Sequence, residues 1–355
     1  MAGELCEVFR EGAEAAEAIL RDVYRVDVTK ALDPLDRTDF LTIVQRLSSA
    51  LRGVTRSAEA DALRRAIREL DVDWPHLSGE AHGEVIRASR QALESLATQV
   101  LPQVNQVFEV EADRVVRASK KATVRRFELS IGTDLSRTDE RIARFVRESQ
   151  GNFVRDEYGR RREAFSKRAR EIVASGIEGG VGRDDISEAL STSLAEQGLT
   201  RSRAYWDMVS MVFANRARTT TELAAFEEAG IEQYRFEAVL DEVTSEVCRF
   251  MHGRVFTVAK AMDRFRKGER ARDPELIRET QPFIQVGADE DGNEVLFYER
   301  GDRRRTVARV DEAGFGERDA VGSYSDGLSN KQLEAAGVSA PPLHGQCRST
   351  IVAEV

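Results

Sequence analysis

Cys248 and His252 stand four residues apart and His344 and Cys347 three apart, so two short segments each gather residue types that bind transition metals. The first reads Asp241-Glu-Val-Thr-Ser-Glu-Val-Cys248-Arg-Phe-Met-His252-Gly-Arg-Val-Phe256, the second Pro341-Pro-Leu-His344-Gly-Gln-Cys347-Arg348. Residues i and i+4 share one face of a helix, and a tight turn lets i and i+3 converge. Each half can therefore offer two ligands, thiolate sulfur and imidazole nitrogen, to one tetrahedral zinc. Four protein ligands close the shell and leave no position for water, which makes such a zinc structural rather than catalytic. Two other readings stay open at this point. A free cysteine is often a small buried hydrophobe and a histidine a satisfied core residue. A Cys248–Cys347 disulfide is the other, although three cysteines in 355 residues are far from the density of a disulfide-stapled domain.

A chain of 355 residues with 41% hydrophobic content has room for two or three domains with real cores. No apolar run approaches the roughly 18 residues of a membrane span. The start, Met1-Ala-Gly-Glu4-Leu-Cys6-Glu7, carries early acids and no basic stretch leading into an apolar one, so a signal peptide is not expected. Few cysteines fit a reducing cytoplasm, and Cys6 is expected on a helix face. A net charge of −9 argues against a protein that coats nucleic acid over its whole surface. The local basic clusters, Arg114–Arg126, Arg160–Arg170, Arg264–Arg272 and Arg303–Arg305, read as solvated faces. No aromatic residues interleave with them as a single-strand stacking platform requires, so DNA contact is allowed without being indicated.

The elements that must position the two clusters follow from periodicity. Leu5, Val8, Phe9, Ala16, Ile19, Leu20 and Val23 mark an amphipathic first helix. A second, with Asp36 and Asp39 near its start, carries Leu41 to Leu51, and a shorter one runs through Leu63, Ile67 and Leu70. A long helix resumes after Pro75, and Pro102 is expected to break or kink it. A loop around Ile131–Asp134 precedes two helices, one with Ile142, Phe145, Val146 and Phe153, the next with Phe165, Ile172 and Val173. The glycines from Gly176 to Gly182 form a turn, and Asp184 or Asp185 caps a helix through Leu194. Thr200 caps another that Gly230 stops near Ala229. Beyond Gly230 the pattern turns to strands: Gln233–Leu240, a hairpin of Phe283–Val286 with Val295–Tyr298, then Thr306–Val310 and Ile351-Val352. The fold class is therefore α+β, with predominantly helical N-terminal two thirds and a small mixed C-terminal domain in which zinc would pin the helix after the first strand to the last strand. The expected segments are 1–128, 129–230 and 231–355.

Asp241-x-x-Thr244-x-x-x-Cys248 with Gly253-Arg-Val-Phe256, then Pro342-x-His344-x-x-Cys347-Arg348, resembles the phage Mu F-like head morphogenesis family of minor head proteins in tailed phages. Ala217-Arg218-Thr219-Thr220-Thr221-Glu222 resembles the Ala-Arg-Thr-Glu-like motif of that family's helical half. The likeness covers roughly residues 130 to 353. It departs at Ser245, where many members carry a cysteine, and at His252, where an aspartate usually precedes the glycine. His252 can then replace the missing ligand, and Cys248, His252, His344 and Cys347 form a two-cysteine, two-histidine zinc site. The resemblance implies a non-enzymatic protein of the virion head or procapsid interior, assembled in the host bacterial cytoplasm. It also implies portal and inner-capsid partners, several copies per particle and no membrane. An internal DNA-binding protein ejected with the genome is the alternative. An enzyme or toxin module is the third class, but no Glu-x-Glu follows Ser191-Thr192-Ser193, and neither His-Glu-x-x-His nor Gly-x-Ser-x-Gly occurs.

Overall fold

The computed structural model describes residues 32–196, 203–271 and 274–354, and the expected first helix, Cys6 and the Thr200 cap lie outside them. The described chain forms two compact units, one from residues 46–108, 151–196 and 203–206, the other from 32–45, 109–150 and 207–354. Four long helices contribute to both: α1 (Arg37–Leu70), α2 (Gly79–Arg126), α3 (Arg137–Glu178) and α5 (Arg203–Glu228). The architecture is α+β, helical first and sheet-containing at the C-terminal end.

In the first unit, α1, α2, α3 and α4 (Arg183–Glu196) bury one apolar cluster. It joins Ala66 and Leu70 of α1, Ile86 and Leu93 of α2, Phe165, Ala169 and Val173 of α3, and Ile186 and Leu190 of α4 around Trp74. Trp74 sits in a single 3-10 turn between α1 and α2, and its indole N–H donates to the Leu70 carbonyl at 3.0 Å, so the buried ring leaves no orphan donor.

Several elements are longer than periodicity suggested. Leu41–Leu51 and Leu63–Leu70 lie on one helix, as do Ile142–Phe153 and Phe165–Val173. Gly53 and Gly159 stand in the gaps without ending either helix, and the apolar pattern lapses there because the buried face carries Thr55, Glu59 and Tyr158. The helix through Pro102 also runs unbroken. Its neighbours Val100 and Val104 are buried while Pro102 is exposed, so the carbonyl that lost its donor can turn to solvent. Asp184 and Asp185 lie inside the first turn of α4 rather than capping it. In the Ser191–Ser193 stretch, Thr192 is exposed, Ser191 half-buried and Ser193 buried.

The second unit is organised by α5 (Arg203–Glu228), every residue of which from Val209 to Phe226 is buried. A helix enclosed on all sides must satisfy its polar side chains within the protein. Its C-terminal end leads into β1 (Gln233–Glu237), the centre of an antiparallel sheet ordered β2-β1-β7, with β2 at Val255–Thr257 and β7 at Thr350–Glu354. Tyr234 pairs with Phe256 on one side, and Phe236 with Ile351 on the other. Between β1 and β2 lies the six-residue helix α6 (Glu246–Met251). After α7 (Val258–Arg270) and α8 (Pro274–Thr280) comes an antiparallel meander of β3 (Ile284–Ala288), β4 (Glu294–Arg300), β5 (Arg303–Glu312) and β6 (Ser323–Ser325). Helix α9 (Asn330–Ala336) precedes the second Cys/His segment.

Helix α9 starts with a capping box between Ser329 and Gln332 and ends at Gly337 with φ +100°. A Cβ at Gly337 would lie 2.6 Å from the Thr280 carbonyl oxygen. Gly337→Ala adds left-handed strain to that clash, so it is expected to destabilise the second unit by about 2–3 kcal/mol. Urea unfolding monitored in that unit measures the change, and an unmoved midpoint refutes it.

Candidate metal centre

Both segments are held in place by residues of the second unit. Ser245 caps α6, its Oγ accepting the amide N–H of Cys248 at 3.3 Å, which puts the Cys248 side chain on the first turn. On the other segment a tight turn brings the Cys347 amide to the His344 carbonyl at 3.2 Å, so these two side chains project together. Cys248 Sγ lies 3.1 Å from His344 Nε2 and 3.8 Å from Cys347 Sγ. The three donor atoms all fall within 4.8 Å of one another, and this group can hold a metal ion.

The donor set fits zinc. With Zn–S near 2.3 Å and Zn–N near 2.05 Å, tetrahedral geometry sets two sulfurs about 3.8 Å apart and sulfur from nitrogen about 3.6 Å. The sulfur pair already has that spacing, and His344 has to withdraw from Cys248 by about half an ångström. His344 Nδ1 accepts the Gln346 amide in a long 3.3 Å contact, and ligation through Nε2 would move the ring proton to Nδ1 and release that contact.

His252 is not part of this group. Helix α6 ends at Met251 and His252 is its C-cap, with its amide still donating to the Cys248 carbonyl at 3.0 Å, so the i+4 backbone bond forms but the imidazole does not join the thiols. Its Nδ1 accepts the Ala238 amide N–H at 3.2 Å instead. The residue that approaches from the first segment is Ser245, whose Oγ is 2.9 Å from His344 Nε2. Its signal in the sequence was the departure at Ser245 from the pattern that these segments resemble.

Burial and contact polarise the thiols. Burial by itself would raise Cys347, but the hydrogen bond from Cys248 and the adjacent His344 outweigh it and hold Cys347 well below the ordinary thiol range. The same hydrogen bond, together with burial, pushes Cys248 up, so the pair favours one thiolate and one thiol.

A scaffold of polar residues ties the segments together. Asp241 accepts both Nη atoms of Arg348 at 2.8 and 2.6 Å, and a bond from Thr244 Oγ1 at 2.8 Å. Arg37 adds a contact at 2.6 Å. The Arg348 guanidinium first, aided by Thr244, holds the Asp241 carboxyl far below the usual carboxylate range. From α5, Asn215 Nδ2 donates to the carbonyl of Cys347 at 2.6 Å, and Arg218 Nη2 donates to that of Ser349 at 2.7 Å. Arg218 also reaches the Pro34 carbonyl and lies 4.0 Å over the Phe40 ring. The polar face of α5 therefore fixes the backbone that carries Cys347.

One α5 carboxyl titrates unusually. Burial pushes Glu222 up to about 8, against weaker opposing pulls from Arg218 and Arg126. Between its ordinary value of 4.5 and that raised value, the folded chain keeps a proton the unfolded chain has lost. Glu222 is therefore expected to reduce stability as pH rises through that window, by up to about 1.4 kcal/mol per pH unit. Glu222→Gln should flatten this slope in unfolding curves taken between pH 5 and 8. A slope shared unchanged by both proteins would mean that Glu222 is already ionised in the fold.

Among the described residues no helix is long and apolar enough to cross a membrane. In comparisons with known proteins the chain matches no family model, no curated protein and no solved structure.

Proposed function

We propose that this chain is a structural minor head protein of a tailed phage, prophage or gene transfer agent, associated with the portal and inner capsid during head assembly and DNA packaging or delivery. One observation carries the reading. Seven of the residues that carry the family resemblance, Asp241, Thr244, Cys248, His344, Cys347, Arg348 and Arg218, contact one another or the same short backbone segment. Such a set serves to brace a lobe, and zinc bound at Cys248, His344 and Cys347 would complete the brace. The role is structural rather than enzymatic, and the protein would act in several copies in the procapsid interior, built in the bacterial cytoplasm.

Co-expression with a portal protein from the same genome tests this. A portal complex that survives purification, together with the chain in isolated heads, is the expected result. A monomer that ignores portal and capsid, and is missing from heads, overturns it.

One feature favours contact with packaged DNA as an additional role. Arg303, Arg304 and Arg305 are exposed at the start of β5, and Arg304 stacks 3.5 Å over Phe297. Binding through these side chains to phosphates would weaken steeply with salt, and a salt-insensitive or undetectable interaction with duplex DNA removes this reading.

A further inference from the structure

The arrangement around Cys248 assigns a role to a residue outside the expected ligand set. We propose that the fourth metal position in this protein is an oxygen position at Ser245, filled by its hydroxyl or a water that it holds, and therefore open to exchange with small external ligands. This rests on the reading that Cys248, His344 and Cys347 bind a metal ion, and it replaces the closed shell with His252.

Geometry is the first support. Ser245 Oγ lies 2.9 Å from His344 Nε2, itself 3.1 Å from Cys248 Sγ. A tetrahedral zinc with oxygen and nitrogen ligands near 2.05 Å separates them by about 3.3 Å, so Ser245 needs little movement to occupy or flank that vertex. His252 is already engaged by the Ala238 amide and stands outside the donor group.

Exposure is the second. Cys248 and Cys347 are 3% and 0% exposed, whereas Ser245 and His344 are half-buried. The sulfur side of the site faces the interior, and the oxygen side faces what solvent can reach. Chemistry is the third. A neutral hydroxyl is a weaker donor to a borderline-soft ion than thiolate or imidazole, and the Ser245 oxygen is shared with the Cys248 amide. Two thiolates and one imidazole give a formally neutral zinc centre that suits burial and does not need a fourth anion. Three firm protein donors with one exchangeable oxygen are the pattern in which a metal remains open to ligands.

Cobalt(II), whose visible bands report thiolate number and geometry, is the probe, and the full-length chain is the sample. Wild type and His252→Ala are expected to bind one equivalent with the same spectrum, and added imidazole should shift the bands of both. Ser245→Cys should strengthen the thiolate charge-transfer band, abolish the imidazole response and slow metal release to a chelator by about tenfold or more. Ser245→Ala should keep the metal and the imidazole response, which secures the test if Ser245→Cys does not fold. Loss of cobalt in His252→Ala, or a wild-type spectrum indifferent to imidazole with release as slow as in Ser245→Cys, overturns the inference and leaves the metal reading standing. A wild-type protein that takes up no cobalt and no zinc ends both.

Discussion

Stripping metal from the purified protein is expected to lower the unfolding free energy of the second unit by about 4 kcal/mol, measured against protein held at a free zinc concentration a thousandfold above its dissociation constant. The effect is large because the ligands come from segments 96 residues apart in sequence, and the ion binds only the folded arrangement that unites them. Cys347→Ser should reproduce most of the loss and make the remaining stability insensitive to chelator. Protons compete with metal for the thiolates, so the zinc-dependent increment should shrink as pH falls. Chelator titration followed by circular dichroism, beside elemental analysis of the same sample, gives the answer. Superimposable unfolding curves with and without chelator would show that the cluster is packing alone.

Asp241→Ala is expected to cost about 2–3 kcal/mol, below the range for a fully buried ion pair because Arg348 is half-buried. Asp241 is only 10% exposed at its side chain and Arg348 18%, so the deletion strands a guanidinium beside the segment bearing Cys347. Arg37, 52% exposed, adds little to the loss. The pH dependence has a fixed sign. Because the folded carboxyl titrates far below its ordinary 3.8, its contribution is complete above about pH 4 and disappears progressively as pH falls further. Asp241→Asn should therefore flatten the acid limb of the stability profile. Pairing Asp241→Ala with Arg348→Met separates the ion pair from the cost of the stranded charge, since the double variant should recover part of the loss. If Asp241→Ala unfolds at the wild-type midpoint, the hub is dispensable.

The pattern of elements was largely legible in the chain. The β1 alternation, the β3–β4 hairpin around Asp289–Asn293 and the final strand all form where the residues indicated. The long helices were read as shorter pieces because apolar periodicity cannot by itself distinguish an interrupted helix from a continuous one whose buried face carries polar side chains such as Thr55, Glu59 and Tyr158. The sequence also named Cys248, His344 and Cys347, since metal-binding residue types at turn and helix spacings are rare enough to stand out. The phage reading rests on resemblance, and its motif residues were recognisable before their contacts were known.

By itself the sequence determined the residue types, the two Cys/His segments and the order of helices and strands, all of which depend on neighbours within a few positions. Only the tertiary structure decided which side chains meet. Pairing of Gly253 and Arg254 with Phe236 of β1 turns the chain out of α6 at its cap His252, whose ring accepts the Ala238 amide, while Ser245 lies beside His344. Where a six-residue helix stops is set by such a long-range backbone contact, because one and a half turns hold too few internal hydrogen bonds to fix their own end.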